Sequence, residues 1–212
     1  FTLSSNQKTT VIVVGMILVA VIVGVAIKKP NADSQVLSQN TGSMDDHHKP
    51  KPVDSAAFDS LLGQQAPDFT LTSFDDKQIS LKDFRGQNVI IFFNEGLMCY
   101  PACWNQIVAF GKDDTFKAND TVVLNITVDA KDDWKKAIDK MPELSGNTVL
   151  LDPNREVSNL YGVLSLNSSM HRGQFPGHTY ILVDKEGIVR FVKDDAQMAV
   201  RNQELLTEVA KL

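Results

Sequence analysis

Phe92-Phe93-Asn94-Glu95-Gly96-Leu97-Met98-Cys99-Tyr100-Pro101-Ala102-Cys103-Trp104-Asn105-Gln106 contains the only two cysteines of the chain, at the end of an apolar run. The run leading into it, Val89-Ile90-Ile91-Phe92-Phe93, is β-branched and aromatic with no polar residue, as in a strand buried on both faces of a sheet. Gly96 breaks the run. Pro101 suits the first position of a helix, where no backbone N–H is required, and Ile107, Val108 and Phe110 give that helix an apolar face. The cysteines are thereby predicted at a strand-to-helix turn. Such a turn directs backbone N–H groups and the positive end of a helix dipole at sulfur, favouring thiolate over thiol. Two cysteines on one helical turn can also be small buried hydrophobes. Their confinement to five residues, beside a proline at a helix start, points instead to redox chemistry or soft-metal binding. A closed zinc site would need a further nearby Cys-x-x-Cys or His-x-x-x-His pair, and none accompanies them.

Outward from this stretch, the pattern is one of strands alternating with helices. Ala56, Ala57, Phe58, Leu61 and Leu62 suit a short amphipathic helix closed by Gly63, and Phe69–Leu71 with Gln78–Leu81 read as a hairpin. Val122–Val128 is a second apolar run ending at Asp129, followed by a helix over Lys131–Lys140 with Trp134, Ala137 and Ile138 on one face. Val149–Leu151 precedes Asp152-Pro153. Val157, Leu160 and Tyr161 suggest a short helix stopped at Gly162, and Thr179–Val183 with Ile188–Val192 flank a turn at Lys185-Glu186-Gly187. A helix over Leu205–Leu212 closes the chain. The expectation is an α/β fold with a mixed central sheet flanked by helices.

Three segments are expected: a membrane anchor over 1–29, a flexible linker over 30–53 and a folded domain over 54–212. Val11–Ile27 has no charge and is bracketed by Lys8 and Lys28-Lys29, so with its flanks it can just cross a bilayer core of about 30 Å. No Ala-x-Ala cleavage site follows, which favours an uncleaved transmembrane helix over a signal peptide. Counting basic flanks alone would leave the domain in the cytoplasm. A cysteine pair that cycles through a disulfide favours the extracytoplasmic side. Residues 30–52 are polar and rich in turn formers, and Met44, Asp45, Asp46, His47 and His48 within them read as solvated more readily than as a metal site. A net charge of −5 and a pI near 5.3 leave no basic patch for nucleic acid.

Gln65-Ala66-Pro67-Asp68-Phe69-Thr70-Leu71, Leu81-Lys82-Asp83-Phe84-Arg85-Gly86, Leu151-Asp152-Pro153 and Tyr161-Gly162-Val163 together resemble the redoxin pattern. This is the thioredoxin-fold branch containing the AhpC/TSA peroxiredoxins and TlpA-like thiol–disulfide oxidoreductases. The resemblance covers roughly Phe58 to Leu212. It implies a thioredoxin-like fold and thiol chemistry at Cys99 and Cys103, with protein thiols or disulfides, or a thioredoxin-like reductant, as partners and no cofactor required. Membrane tethering is also a familiar layout in that branch. The pattern differs in three places. Three residues, rather than two, separate the cysteines. His178 stands six before Asp184, where TlpA-like enzymes place a cis-proline, and Pro176 lies two earlier. A peroxiredoxin would carry arginine near that position and threonine three before its peroxidatic cysteine, whereas Tyr100 stands three before Cys103. By the TlpA-like resemblance Cys99 is the attacking cysteine, while Cys103 lies nearer the peroxidatic position.

The Cys-x-x-x-Cys spacing also resembles the Sco family of membrane-anchored copper-binding proteins. That resemblance implies copper held by Cys99, Cys103 and His178; by residue chemistry alone Met98, Met170 and His171 could add soft donors, although a methionine near a core is usually packing. Glu95, four before Cys99, is a candidate proton shuttle. Trp104 either lines a partner groove or packs the helix, with packing favoured. The readings are therefore a membrane-anchored thiol–disulfide oxidoreductase, a copper-binding assembly factor and a thiol peroxidase.

Overall fold

The computed structural model describes residues 51–212. The anchor expected over 1–29, most of the linker and its Met/Asp/His cluster lie outside the described residues. Among the described residues no helix is long and apolar enough to cross a membrane.

The expected strand–helix alternation is what forms. The elements in order are α1 (Ala56–Asp59), β1 (Thr70–Ser73), β2 (Gln78–Ser80), β3 (Asn88–Asn94), α2 (Ala102–Gly111), α3 (Thr115–Ala118), β4 (Thr121–Thr127), α4 (Lys131–Lys140), β5 (Val149–Leu151), α5 (Glu156–Leu160), β6 (Thr179–Val183), β7 (Val189–Asp194) and α6 (Asn202–Val209). The strands make one mixed sheet in the order β2-β1-β5-β4-β3-β6-β7. β3, β4 and β5 are parallel neighbours, while β6 runs antiparallel to β3 and hairpins with β7.

β3 is buried along its whole length. Its side chains alternate between the two faces, as strand geometry requires: Val89, Ile91 and Phe93 enter one apolar cluster, and Ile90 and Phe92 the other. The second cluster also contains Cys99, Cys103 and Trp104, so the cysteine turn is built into one layer of the core.

Several boundaries differ from expectation by a few residues, and two of them bear on the site. The terminal helix starts at Asn202, not Leu205, and ends at Val209. The Asn202 amide anchors that start by donating to Ala109 O at the end of α2, a tertiary contact with no local pattern. Pro101 is the N-cap of α2 rather than its first residue, and Gly96–Cys99 forms a separate 3-10 turn.

Away from the cysteines, the buried Asp152 carboxylate accepts hydrogen bonds from Val157 N, Ser158 N and Ser158 Oγ, closing the start of α5. Asp152→Ala leaves these donors without a partner, and chemical denaturation should show a loss of about 2 kcal/mol. An unchanged unfolding midpoint would mean that α5 does not need this cap.

Candidate active site

The turn after β3 is fixed from three sides. Asn94 Oδ1 accepts Gly96 N at 2.9 Å, Asp129 Oδ2 accepts Leu97 N at 3.0 Å, and Trp104 Nε1 donates to Gly96 O at 3.0 Å. Gly96 is required here: its φ is +58°, and a Cβ would lie 1.7 Å from Asp129 Oδ2. Trp104 therefore does pack the helix as expected. With Leu97, Tyr100, Lys140 and Met141 it also borders a cavity of about 290 Å³ beside the turn.

Cys99 and Cys103 are joined in a disulfide with their Cα atoms 5.4 Å apart, within the range that a bridge needs. Cys103 is the second residue of α2, where the helix dipole favours a thiolate once the bridge is opened. Cys99 ends the 3-10 turn between the exposed side chains of Met98 and Tyr100. The expected aim of backbone N–H groups at sulfur is not what is found. Among the described residues the polar contacts of the two sulfurs are side chains, His178 and Met198.

His178 is fully buried on the cysteine side of β6. The β3–β6 register pairs Phe93 with Thr179, so the preceding residue falls beside the turn that follows β3. Its Nδ1 lies 3.4 Å from Cys103 Sγ, its Nε2 lies 2.8 Å from the Tyr180 hydroxyl, and its ring stands edge-on to Phe92. Burial pushes the imidazole down to about 4, so it is neutral at neutral pH.

A loop after β7 completes the site. Arg201 grips the buried Asp195 with two hydrogen bonds, at 2.7 and 2.8 Å, and Asp195 also accepts Ala199 N. Burial opposes ionisation of Asp195, but Arg201 and the Ala199 N–H outweigh it and hold the carboxyl below its ordinary value. Between these anchors Met198 takes a φ of +50° and brings Sδ to 4.0 Å from Cys99 Sγ.

The structure thus brings together Cys99, Cys103 and His178, whose donor atoms all lie within 4.8 Å of one another. Glu95 is directed elsewhere. Its buried carboxylate accepts Ser169 Oγ, Met170 N and His171 N and pairs with His171 Nδ1, and it makes no hydrogen bond to either sulfur. His171 is accordingly taken up by Glu95, and the side chains of Met98 and Met170 are exposed. The sulfur donor found beside the bridge is Met198, which carries no sequence signal. Tyr180 was legible only as the residue two beyond His178 on the same strand face.

The pattern of the AhpC/TSA family matches residues 62–192. Peroxiredoxin Bcp of Escherichia coli is 31% identical over 141 residues, covering 63% of this chain and 85% of its own length. Peroxiredoxin-2 of Mus musculus is 30% identical over 151 residues, covering 64% and 70%. Two solved structures share the fold. A reduced 2-Cys peroxiredoxin of Plasmodium vivax has a TM-score of 0.58 at 24% identity, covering 71% of this chain and 80% of that one. AhpC of Enterococcus faecalis has a TM-score of 0.62 at 18% identity, covering 71% and 91%. The thioredoxin-like fold implied by the sequence is therefore the one present.

Burial raises the Asp129 carboxyl above its ordinary value, against hydrogen bonds from Thr127 and Leu97. The unfolded group ionises near 3.8 and the folded one only at higher pH, so stability from this group is present at low pH and falls as pH rises through the folded value. Asp129→Asn keeps an acceptor for Leu97 N and removes the ionisation. Urea midpoints of variant and wild type, compared at about pH 3 and pH 7, should shift in the variant's favour at the higher pH. A difference that does not change with pH would refute the assignment.

Proposed function

The chain belongs to the AhpC/TSA family, and on that premise we propose that it is a thiol-dependent peroxidase cycling between the Cys99–Cys103 disulfide and the dithiol. The observation that carries this reading is the bridge itself, closed between the only two cysteines of the chain with one sulfur at a helix start beside a buried neutral histidine. Cys103 is the nucleophile toward peroxide, because it has both the helix dipole and the imidazole. Its thiolate bonds to one peroxide oxygen, the O–O bond breaks, and the other oxygen leaves as an alcohol or water after taking a proton. The Cys99 thiol then attacks the Cys103 sulfenic acid, forming the disulfide and releasing water. An external dithiol completes the cycle by attacking Cys99, itself buried but flanked in the chain by the exposed Met98 and Tyr100, once the turn opens, and leaves as its own disulfide.

Tyr100 and His178 stand where related peroxidases would carry threonine and arginine, so peroxide is activated here by a different set of groups. Plain thiol–disulfide exchange uses the same bridge and the same reductive half-cycle, and the peroxidase names of the relatives favour peroxide as the oxidant. Copper binding would draw on the same three side chains, and the relatives' names lend it no support. The localisation belongs to the same proposal: residues 1–29 anchor the chain in a membrane, 30–53 form a tether, and the domain over 54–212 faces the extracytoplasmic side.

With dithiothreitol as reductant, the wild-type chain should consume hydrogen peroxide, and Cys103→Ser should lower the rate by at least about 100-fold. Reduced Cys99→Ser, freed of dithiothreitol before peroxide is added, should consume one equivalent and stop, with a sulfenic acid at Cys103 that dimedone traps. Reduction of a small disulfide with no consumption of peroxide would replace this reading with plain disulfide exchange.

A further inference from the structure

Behind Cys103 runs a buried chain of polar side chains whose hydrogen-bond directions can be assigned from its outer end inward. The Asn202 side-chain nitrogen lies 3.0 Å from Ala109 O and 3.0 Å from an Asp113 carboxylate oxygen, both pure acceptors. Its NH2 therefore faces them, and its oxygen faces Gln106. Gln106 must then present its NH2 to Asn202, at 2.8 Å, and its oxygen to the opposite side, where Arg201 N donates to it at 2.7 Å. That same oxygen lies 2.8 Å from the Tyr180 hydroxyl, and Ala199 O lies 3.3 Å from it.

Tyr180 has one proton, and two of its three neighbours are carbonyl oxygens that can only accept. Spending the proton on His178 would leave the hydroxyl oxygen facing both carbonyls with no hydrogen between them, in a core where Gln106, Tyr180 and His178 are fully buried. The hydroxyl therefore donates toward Gln106 and accepts from His178 Nε2. A neutral imidazole has one N–H, so Nδ1, 3.4 Å from Cys103 Sγ, holds the lone pair. The charged groups nearby, Asp195 and Arg201, are paired with each other, and His178 is fully buried.

Resting on the peroxidase reading above, we infer that Tyr180 and Gln106 are positioning residues that hold His178 as its Nε2–H tautomer, so that Nδ1 takes the Cys103 proton as the sulfur attacks. In the dithiol, Cys103 S–H gives its proton to Nδ1 and the sulfur bonds to one peroxide oxygen. The O–O bond breaks, the departing oxygen carries the electron pair, and the imidazolium returns the proton to it. Neither Tyr180 nor Gln106 hydrogen-bonds to the sulfur, whose partner is His178. Both act by fixing which ring nitrogen is free.

The test is nitrogen-15 NMR of the reduced full-length chain labelled at histidine, with the His178 signals identified by their loss in His178→Gln. Wild type should show a pyridine-type Nδ1 and a pyrrole-type Nε2 at neutral pH. Tyr180→Phe removes the acceptor for Nε2–H and should mix the tautomers, lowering kcat/KM for hydrogen peroxide about 10-fold or more. Should that variant fail to fold, Gln106→Leu makes a second test by removing the nearer acceptor of the Tyr180 proton, which leaves only Ala199 O, at 3.3 Å, to compete with His178 for it. A pyrrole-type Nδ1 in wild type overturns the inference, and so do folded variants that keep both the tautomer and the rate. A wild-type chain that consumes no peroxide defeats the peroxidase reading instead, and the NMR signals still decide the tautomer.

Discussion

The antiparallel pairing of β3 with β6 is the constraint on which the site depends. Phe93 opposite Thr179 and Phe92 opposite Tyr180 set the register, and a slip by one residue would turn His178 and Tyr180 to the other face of the sheet. Because β3 is buried on both faces, such a slip would misplace a continuous row of aromatic and branched side chains. Apolar packing therefore fixes the position of a polar group. Phe92 stacks on Tyr180 at 4.9 Å and stands edge-on to His178 at 4.7 Å, so the ring that holds the register also walls the histidine.

A buried polar chain survives in such a core only if every member is partnered. Here each side chain from Asn202 to His178 has partners of the required kind, and the chain reaches an ion-paired loop that carries Met198 to the bridge. Glu95 follows the same logic on the other side of the turn. Its buried carboxylate collects donors from the segment over 169–171, making it a strut for that segment.

Much of this was legible in the sequence where periodicity and punctuation carry the signal. The unbroken apolar run of β3, the turn at Gly187, the Lys131–Lys140 helix and the break at Gly96 all follow from local rules. His178 was found through the resemblance to TlpA-like enzymes, by counting back six residues from Asp184 to the position where they place a cis-proline. Glu95 was singled out by its closeness to Cys99 in sequence, which does not fix direction: the left-handed turn at Gly96 carries the following residues toward Cys99 while the Glu95 carboxylate meets the 169–171 segment. Met198, Gln106 and Asn202 could not be read at all. They join the site through contacts between α2, α6 and the loop after β7, which no window of sequence contains.

In the proposed cycle Cys99 and Cys103 form one two-electron couple oxidised by peroxide. Titrating the fully reduced full-length chain with hydrogen peroxide, followed by intact mass and thiol alkylation, tests it most directly. One equivalent should close one disulfide per chain, with a mass loss of two hydrogens and no alkylated cysteine. Two cysteines that remain fully alkylatable after that equivalent is consumed, or that add oxygen without closing the bridge, would contradict it.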